Sequence, residues 1–174
     1  MRASILEEEQ FETVLAYTDG MERPAMYRLM VTLTKKLGLR PIELANMDTS
    51  WFSPNELRIP AGKSKRGKAR SLPMSDEILS LLVRHMGEQT GRVFRNAKGE
   101  VFTANGISEA MRRLYRLAGV RGSCYSGRRT AATNMVDRGV NIRIVQEFLG
   151  HSNLATTAAY CGVTPNMLRN AVFG

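Results

Sequence analysis

Residues 128–160 read RRTAATNMVDRGVNIRIVQEFLGHSNLATTAAY, and the punctuation of this stretch decides the fold. Gly139 and Gly150 each close an apolar helical run. Glycine suits that position because it enters the left-handed conformation without a Cβ clash. Ser126 can cap a helix running to Arg138, and Asn141 can cap a second with Ile142, Val145 and Leu149 turned inward. Ser152 can cap a short third helix reaching Tyr160, and Thr164, with Pro165 at the first helical position, opens a last one. Caps and stops at such short intervals specify compact helices rather than strands.

The same pattern extends upstream. Ile107, Met111, Leu114 and Leu117 form a stripe that stops at Gly119, and Ser75 is the natural cap of a helix over 76–86 carrying Ile78, Leu81 and Leu82. Leu29, Met30, Leu33 and Leu37 follow Pro24 and end at Gly38. Phe11, Val14 and Leu15 give a first helix over 7–17, stopped by Gly20. Pro41 reads as the first residue of a helix with Ile42, Leu44, Ala45 and Met47 behind it. The period changes only in the middle. Trp51, Phe52, Leu57 and Ile59 favour strands, Pro54-Asn55 reads as a turn, and 69–74 reads as a return strand beyond a basic loop bracketed by Gly62 and Gly67. Arg92-Val93-Phe94 is a candidate third strand. The expected fold is mainly α with a small antiparallel sheet of two or three strands, carrying Lys63 on its turn.

The chain has 174 residues, 43% of them apolar, enough for one domain or two small ones. Lys and Arg number 25 against 16 Asp and Glu, a net charge of +9, which points to an acidic partner. The charge is unevenly spread. Residues 1–22 hold six acids and one base, whereas 58–70 carry Arg58, Lys63, Lys65, Arg66, Lys68 and Arg70 with no acid. Residues 111–133 carry Arg112, Arg113, Arg116, Arg121, Arg128 and Arg129, again with no acid. Two separated basic stretches suit a surface that tracks phosphates, of nucleic acid or of a membrane surface, with Lys65, Arg66, Lys68, Arg70, Arg112, Arg113 and Arg129 as the candidate contacts. No apolar run approaches the ~20 residues of a membrane helix. The acids Glu7, Glu8 and Glu9 exclude a secretory leader in the first ten residues. Two cysteines, Cys124 and Cys161, and two histidines, His85 and His151, exclude a disulfide scaffold and argue against a zinc site. No metal and no cofactor is expected, and a reduced, cytoplasmic setting is the default.

Three polar residues recur beyond a glycine stop or at an expected helix start: Arg40, Arg128 and His151. Each can present its side chain to one oxyanion, and Arg grips phosphate with two hydrogen bonds. Arg128 to Thr133, then Gly139-Val140, then Leu149-Gly150-His151-Ser152, then Thr156 to Tyr160 together resemble the catalytic domain of the tyrosine recombinases, the phage-integrase family. In that family a Leu-Gly-His follows the opening Arg by about twenty residues, and the nucleophilic Tyr lies nine past the His, as Tyr160 does from His151. Leu37 to Leu44 resembles the family's first Arg box. Gly62-Lys63, with Arg70 to Met74 behind it, resembles its lysine hairpin.

The resemblance implies roles residue by residue. Tyr160 attacks a DNA phosphodiester and forms a 3′-phosphotyrosyl link, freeing a 5′-hydroxyl. Arg40 and Arg128 hold the non-bridging oxygens, Lys63 is the general acid toward the 5′-oxygen, His151 hydrogen-bonds the phosphate or assists the transition state, and Glu43 supports the first Arg box. One position departs from the pattern: Tyr125 stands three residues before Arg128, where the family usually has His. Tyr can donate to phosphate but is a poor base near pH 7. The resemblance also implies double-stranded DNA as partner, a monomer free in solution and a dimer to tetramer on DNA, with accessory DNA-bending proteins compatible. Family members usually place a separate helical clamping domain before this one, and none fits ahead of residue 5; 1–174 is expected to be a single catalytic domain, either a fragment of a longer recombinase or a naturally minimal one. The expected function is site-specific recombination by integration, excision or inversion. A non-catalytic DNA-binding regulator that kept the fold, and a type IB topoisomerase-like relaxing activity, are the alternatives. A helix-turn-helix repressor would explain the charge but not the spacing of Leu-Gly-His and Tyr.

Overall fold

The structure, a computed structural model, describes residues 3–63 and 69–174. Its helices are α1 (Glu8–Thr18), α2 (Pro24–Leu37), α3 (Pro41–Asn46), α4 (Asp76–Met86), α5 (Ala104–Leu117), α6 (Cys124–Asp137), α7 (Ile142–Leu149), α8 (Leu154–Tyr160) and α9 (Pro165–Phe173). One antiparallel pair, β1 (Glu56–Ile59) and β2 (Arg70–Pro73), lies between α3 and α4. Its register sets Leu57 opposite Leu72 and Ile59 opposite Arg70.

The strong stripe of α2 becomes the centre of the core. Met26, Leu29, Met30 and Leu33 are fully buried, and α2 packs on both α4 and α6. Gly127 permits the second of these packings. A Cβ there would stand 2.9 Å from Thr34 Oγ1 and 3.0 Å from the backbone nitrogen of Lys35, so α6 can lie this close to α2 only without a side chain. That approach places the next residue, Arg128, beneath the end of α2. Gly38 ends α2 at φ 60° and Gly150 ends α7 at φ 62°, both left-handed as expected from their positions.

Three local expectations are corrected. Arg92 to Phe94 does not form a third strand; the described sheet has two strands, with single bridges at Asp48–Arg92 and Arg95–Val101. Val93 and Phe94 are buried because the N–H of Val93 donates to Met47 and the carbonyl of Phe94 accepts from Phe102, tying the segment to the core without a ladder. α6 begins earlier than Ser126. Ser123 is its N-cap, and Ser126 sits one turn inside, its hydroxyl accepting from the Ser123 N–H at 3.2 Å. α8 is capped by Asn153 rather than Ser152, its Oδ1 accepting from Ala155 N–H at 2.8 Å, since the chain needs the extra residue to turn after Gly150.

Candidate active site

Arg128 lies in the second turn of α6 and is only 1% exposed. A buried guanidinium must spend its donors on acceptors, and here these are main-chain carbonyls freed at helix ends. One Nη donates to the carbonyl of Gly38, the other to that of Leu149 at 2.7 Å. The left-handed glycines thus do more than stop helices: their turns aim carbonyls at Arg128. Nη2 also lies 3.0 Å from Nε2 of His151, and the guanidinium stands 5.6 Å from the ring centre of Tyr160.

Arg40 is the N-cap of α3. Its backbone N–H donates to Glu43 at 2.8 Å and its guanidinium at 3.2 Å, while its other Nη donates to Gly150 O at 3.2 Å. Glu43 is fully buried and also accepts from both Nη atoms of Arg70, at 2.6 and 3.1 Å. Burial works against the charge of Glu43, but the hydrogen bond and charge of Arg70 outweigh it and hold the carboxyl below its ordinary range. Burial, then the like charge of Arg40, pulls Arg128 down to about 9, which leaves it charged at neutral pH. Burial first, then Arg128, Arg40 and Arg70, pulls His151 down to about 4. Burial raises the Tyr160 phenol above its ordinary value, with Arg128 and Arg40 opposing.

A helix through residues 151–160 would hold His151 and Tyr160 roughly 13 Å apart. Instead the chain turns between Gly150 and Asn153, and the two rings meet edge to face with centres 5.5 Å apart. The structure therefore brings Arg40, Glu43, Arg128, His151 and Tyr160 together. Tyr125, 47% exposed, lines a cavity of about 390 Å³ beside Tyr160, with Arg112, Ser123 and Arg129. Lys63 is exposed at the turn after β1 and, among the described residues, hydrogen-bonds to no member of the cluster. Lys65, Arg66 and Lys68 lie outside the described residues.

Several expected DNA contacts have other occupations. The Arg70 side chain is 7% exposed and belongs to the Glu43 pair, because residue 70 faces inward at the end of β2. Arg129 donates to the carbonyls of Tyr160 at 3.1 Å and Ala3 at 2.6 Å, so it braces the main chain beside the tyrosine. Arg112 pairs with Glu109 at the surface, while Arg113, one residue further round α5, lines a separate cavity with Met21 and Tyr27. Thr157 was not singled out by the sequence. It is fully buried, with Oγ1 3.0 Å from Nδ1 of His151. Its i,i+3 relation to Tyr160 on a helix was the signal available.

No helix of the described residues is long and apolar enough to cross a membrane, and among them no group of three His, Cys, Asp or Glu side chains could hold a metal ion. Residues 4–167 match the phage integrase family. The chain is 32% identical over 153 residues to tyrosine recombinase XerA of Pyrococcus furiosus, covering 83% of this chain and 53% of that one. The crystal structure of XerA recombinase superposes with a TM-score of 0.82 at 22% identity, over 98% of this chain and 64% of that chain. The catalytic domain of bacteriophage HP1 integrase superposes with a TM-score of 0.71 at 26% identity, over 98% of this chain and 94% of that domain. The fold is thus that of a tyrosine recombinase catalytic domain. The chain belongs to the phage integrase family, and it spans about half the length of its XerA relative.

Proposed function

We propose that this chain cleaves and rejoins DNA strands in site-specific recombination, through a covalent 3′-phosphotyrosyl intermediate on Tyr160. One observation carries the reading: three guanidiniums, of Arg40, Arg70 and Arg128, converge on a centre where the hydrogen-bonded carboxylate is Glu43 alone among the described residues. The excess positive charge calls for an anion, and the oxygens of a phosphodiester suit guanidinium donors. Attack by the phenol adds charge to those oxygens, where preorganised donors stabilise it. Arg40 and Arg128 hold the non-bridging oxygens, and Glu43 keeps Arg40 and Arg70 in place. Lys63 protonates the departing 5′-oxygen, His151 assists the transition state, and Tyr125 donates to the phosphate from the cavity rim. A covalent intermediate conserves the bond energy, so rejoining needs no nucleotide. Double-stranded DNA is the partner, and the protein assembles as a dimer to tetramer on it. The tail helix α9 has none of its residues buried, which supports its docking on a neighbouring subunit during assembly.

The test is covalent trapping on nicked duplex DNA in the presence of EDTA, read as a slow-migrating adduct on a denaturing gel. Wild-type protein is expected to form the adduct. Tyr160→Phe is expected to lose it while binding DNA nearly as well, because no phosphate-binding charge is removed. An adduct with Tyr160→Phe would show that another residue is the nucleophile.

A further inference from the structure

The protonation pattern of His151 follows from what surrounds its ring. Nε2 lies 3.0 Å from Nη2 of Arg128. A guanidinium only donates, so Nε2 accepts and carries no proton. In a neutral imidazole the proton is then on Nδ1, where it is donated to Thr157 Oγ1, 3.0 Å away. Thr157 is fully buried and sits one turn before Tyr160, so α8 presents both side chains to the same ring. The Tyr160 hydroxyl is buried and has no hydrogen-bond partner among the described residues.

Resting on the recombinase reading above, we propose that His151 is the proton acceptor for Tyr160, and that Thr157 is the positioning residue that keeps Nε2 free for the task. An Nδ1–H imidazole offers a lone pair at Nε2 and no proton to give a phosphate oxygen. In the free protein Arg128 occupies that lone pair. A phosphate oxyanion is the stronger acceptor, so substrate draws the guanidinium away and uncovers Nε2. As the Tyr160 oxygen bonds to phosphorus, its proton passes to Nε2. The bond from phosphorus to the 5′-oxygen breaks, and the electron pair leaves with that oxygen, which takes a proton from Lys63. Rejoining reverses each transfer.

The charged and titratable groups facing the ring are Arg128 from α6, Arg40 and Glu43 from α3, Arg70 from β2 and Tyr160 from α8. Burial and the three cations make His151 a weak base in the free protein. A bound phosphate cancels part of that field, so basicity rises when the substrate arrives. Tyr125, a phenol, does not supply a base near pH 7. His85, the other histidine of the chain, is engaged at 2.8 Å with the Val93 carbonyl.

Two measurements test this. Long-range ¹H–¹⁵N spectra of the free protein have only two imidazoles to assign. The unprotonated nitrogen of His151 is expected at Nε2 in the free wild-type protein, and in free Thr157→Val as well, because Arg128 still donates to it there; the part of Thr157 is read from the adduct rates below. A proton on Nε2 in wild type overturns the proposal. The second measurement is the rate of adduct formation, across pH, on a pool of nicked duplexes with randomised sequence around the nick. His151→Gln keeps an N–H donor for phosphate but no basic nitrogen. Its rate at pH 7 is expected to fall at least ~100-fold, as for loss of a general base, and to recover as pH approaches the ionisation of tyrosine. Thr157→Val is expected to show a smaller loss with the same pH shape, restored by Thr157→Ser. A His151→Gln protein close to wild type at pH 7, or equally impaired at every pH, overturns the proposal alone. Wild-type protein that forms no adduct overturns the recombinase reading, and this one with it.

Discussion

Replacing Glu43 by Gln tests the electrostatic core of the site. Glu43 accepts from the Arg40 backbone at 2.8 Å, the Arg40 guanidinium at 3.2 Å and the Arg70 guanidinium at 2.6 and 3.1 Å. Gln keeps the shape but removes the charge, and it turns one acceptor oxygen into an NH2 that faces guanidinium donors. Arg70, with its side chain 7% exposed, cannot turn into water, whereas Arg40, at 17%, partly can. Removing one partner of a buried pair costs about 3–5 kcal/mol, and the freedom of Arg40 places this case near 3. At about 2–4 °C per kcal/mol for a chain of this size, the melting temperature should fall by roughly 6–12 °C at pH 7. The loss should depend on pH in a stated direction. The folded-state pKa of Glu43 lies below its unfolded value, so its stabilisation is complete above the unfolded pKa of about 4.3 and fades as pH falls through the folded value. Urea unfolding of both proteins at pH 7 and pH 3 reads the difference directly. Sulfate should raise the stability of Glu43→Gln more than that of wild type, because it supplies the missing negative charge to the folded state. A loss below about 1 kcal/mol at pH 7, against the ~3 expected for a buried pair, or a gap that does not narrow at pH 3, would refute the reasoning.

Gly127→Ala should cost about 1–3 kcal/mol by overpacking, since the nearest atoms include the backbone of Lys35; denaturant unfolding measures it, and an unchanged midpoint would mean that α6 moves freely against α2. DNA affinity should fall steeply with salt. With, say, 6–8 phosphate contacts the slope of log K against log salt is about −5 to −7, and substituting Lys65, Arg66 and Lys68 should flatten it; a slope unchanged by the substitutions would remove the basic loop from the interface. Deleting residues 165–174 should leave the melting temperature within about 2 °C, as expected where no residue is buried, while weakening cooperative binding to paired sites. Equal assembly by the truncated protein would show that α9 has no part in it.

Much of the frame was legible from residues alone, because local rules act locally. Gly38 and Gly150 adopt the left-handed helix ends their positions demanded, Pro24, Pro41 and Pro165 open helices, and Ser75, Asn141 and Thr164 cap them. The nine-residue step from His151 to Tyr160 was equally plain, and so was the order of the Arg boxes. Where the structure adds to the reading, the deciding partner is far away in the chain. Arg70 looked like one more cation of a basic loop until a carboxylate 27 residues away claimed it. Arg129 became a brace only when Ala3 and Tyr160 came within its reach. Val93 and Phe94 had the composition of a strand, but their backbone hydrogen bonds go to Met47 and Phe102 rather than to β1 or β2, with single bridges at the flanking Arg92 and Arg95. The sequence alone determined which residues are present to handle an anion and where most helices start and stop, since caps and glycines act over a few bonds; the starts of α6 and α8 lie elsewhere than the sequence pointed. Tertiary structure decided that the anion-handling residues share one centre, that Arg128 is buried with its charge, and that the ring of His151 lies between Arg128 and Thr157, because those depend on carbonyls and hydroxyls that only packing delivers.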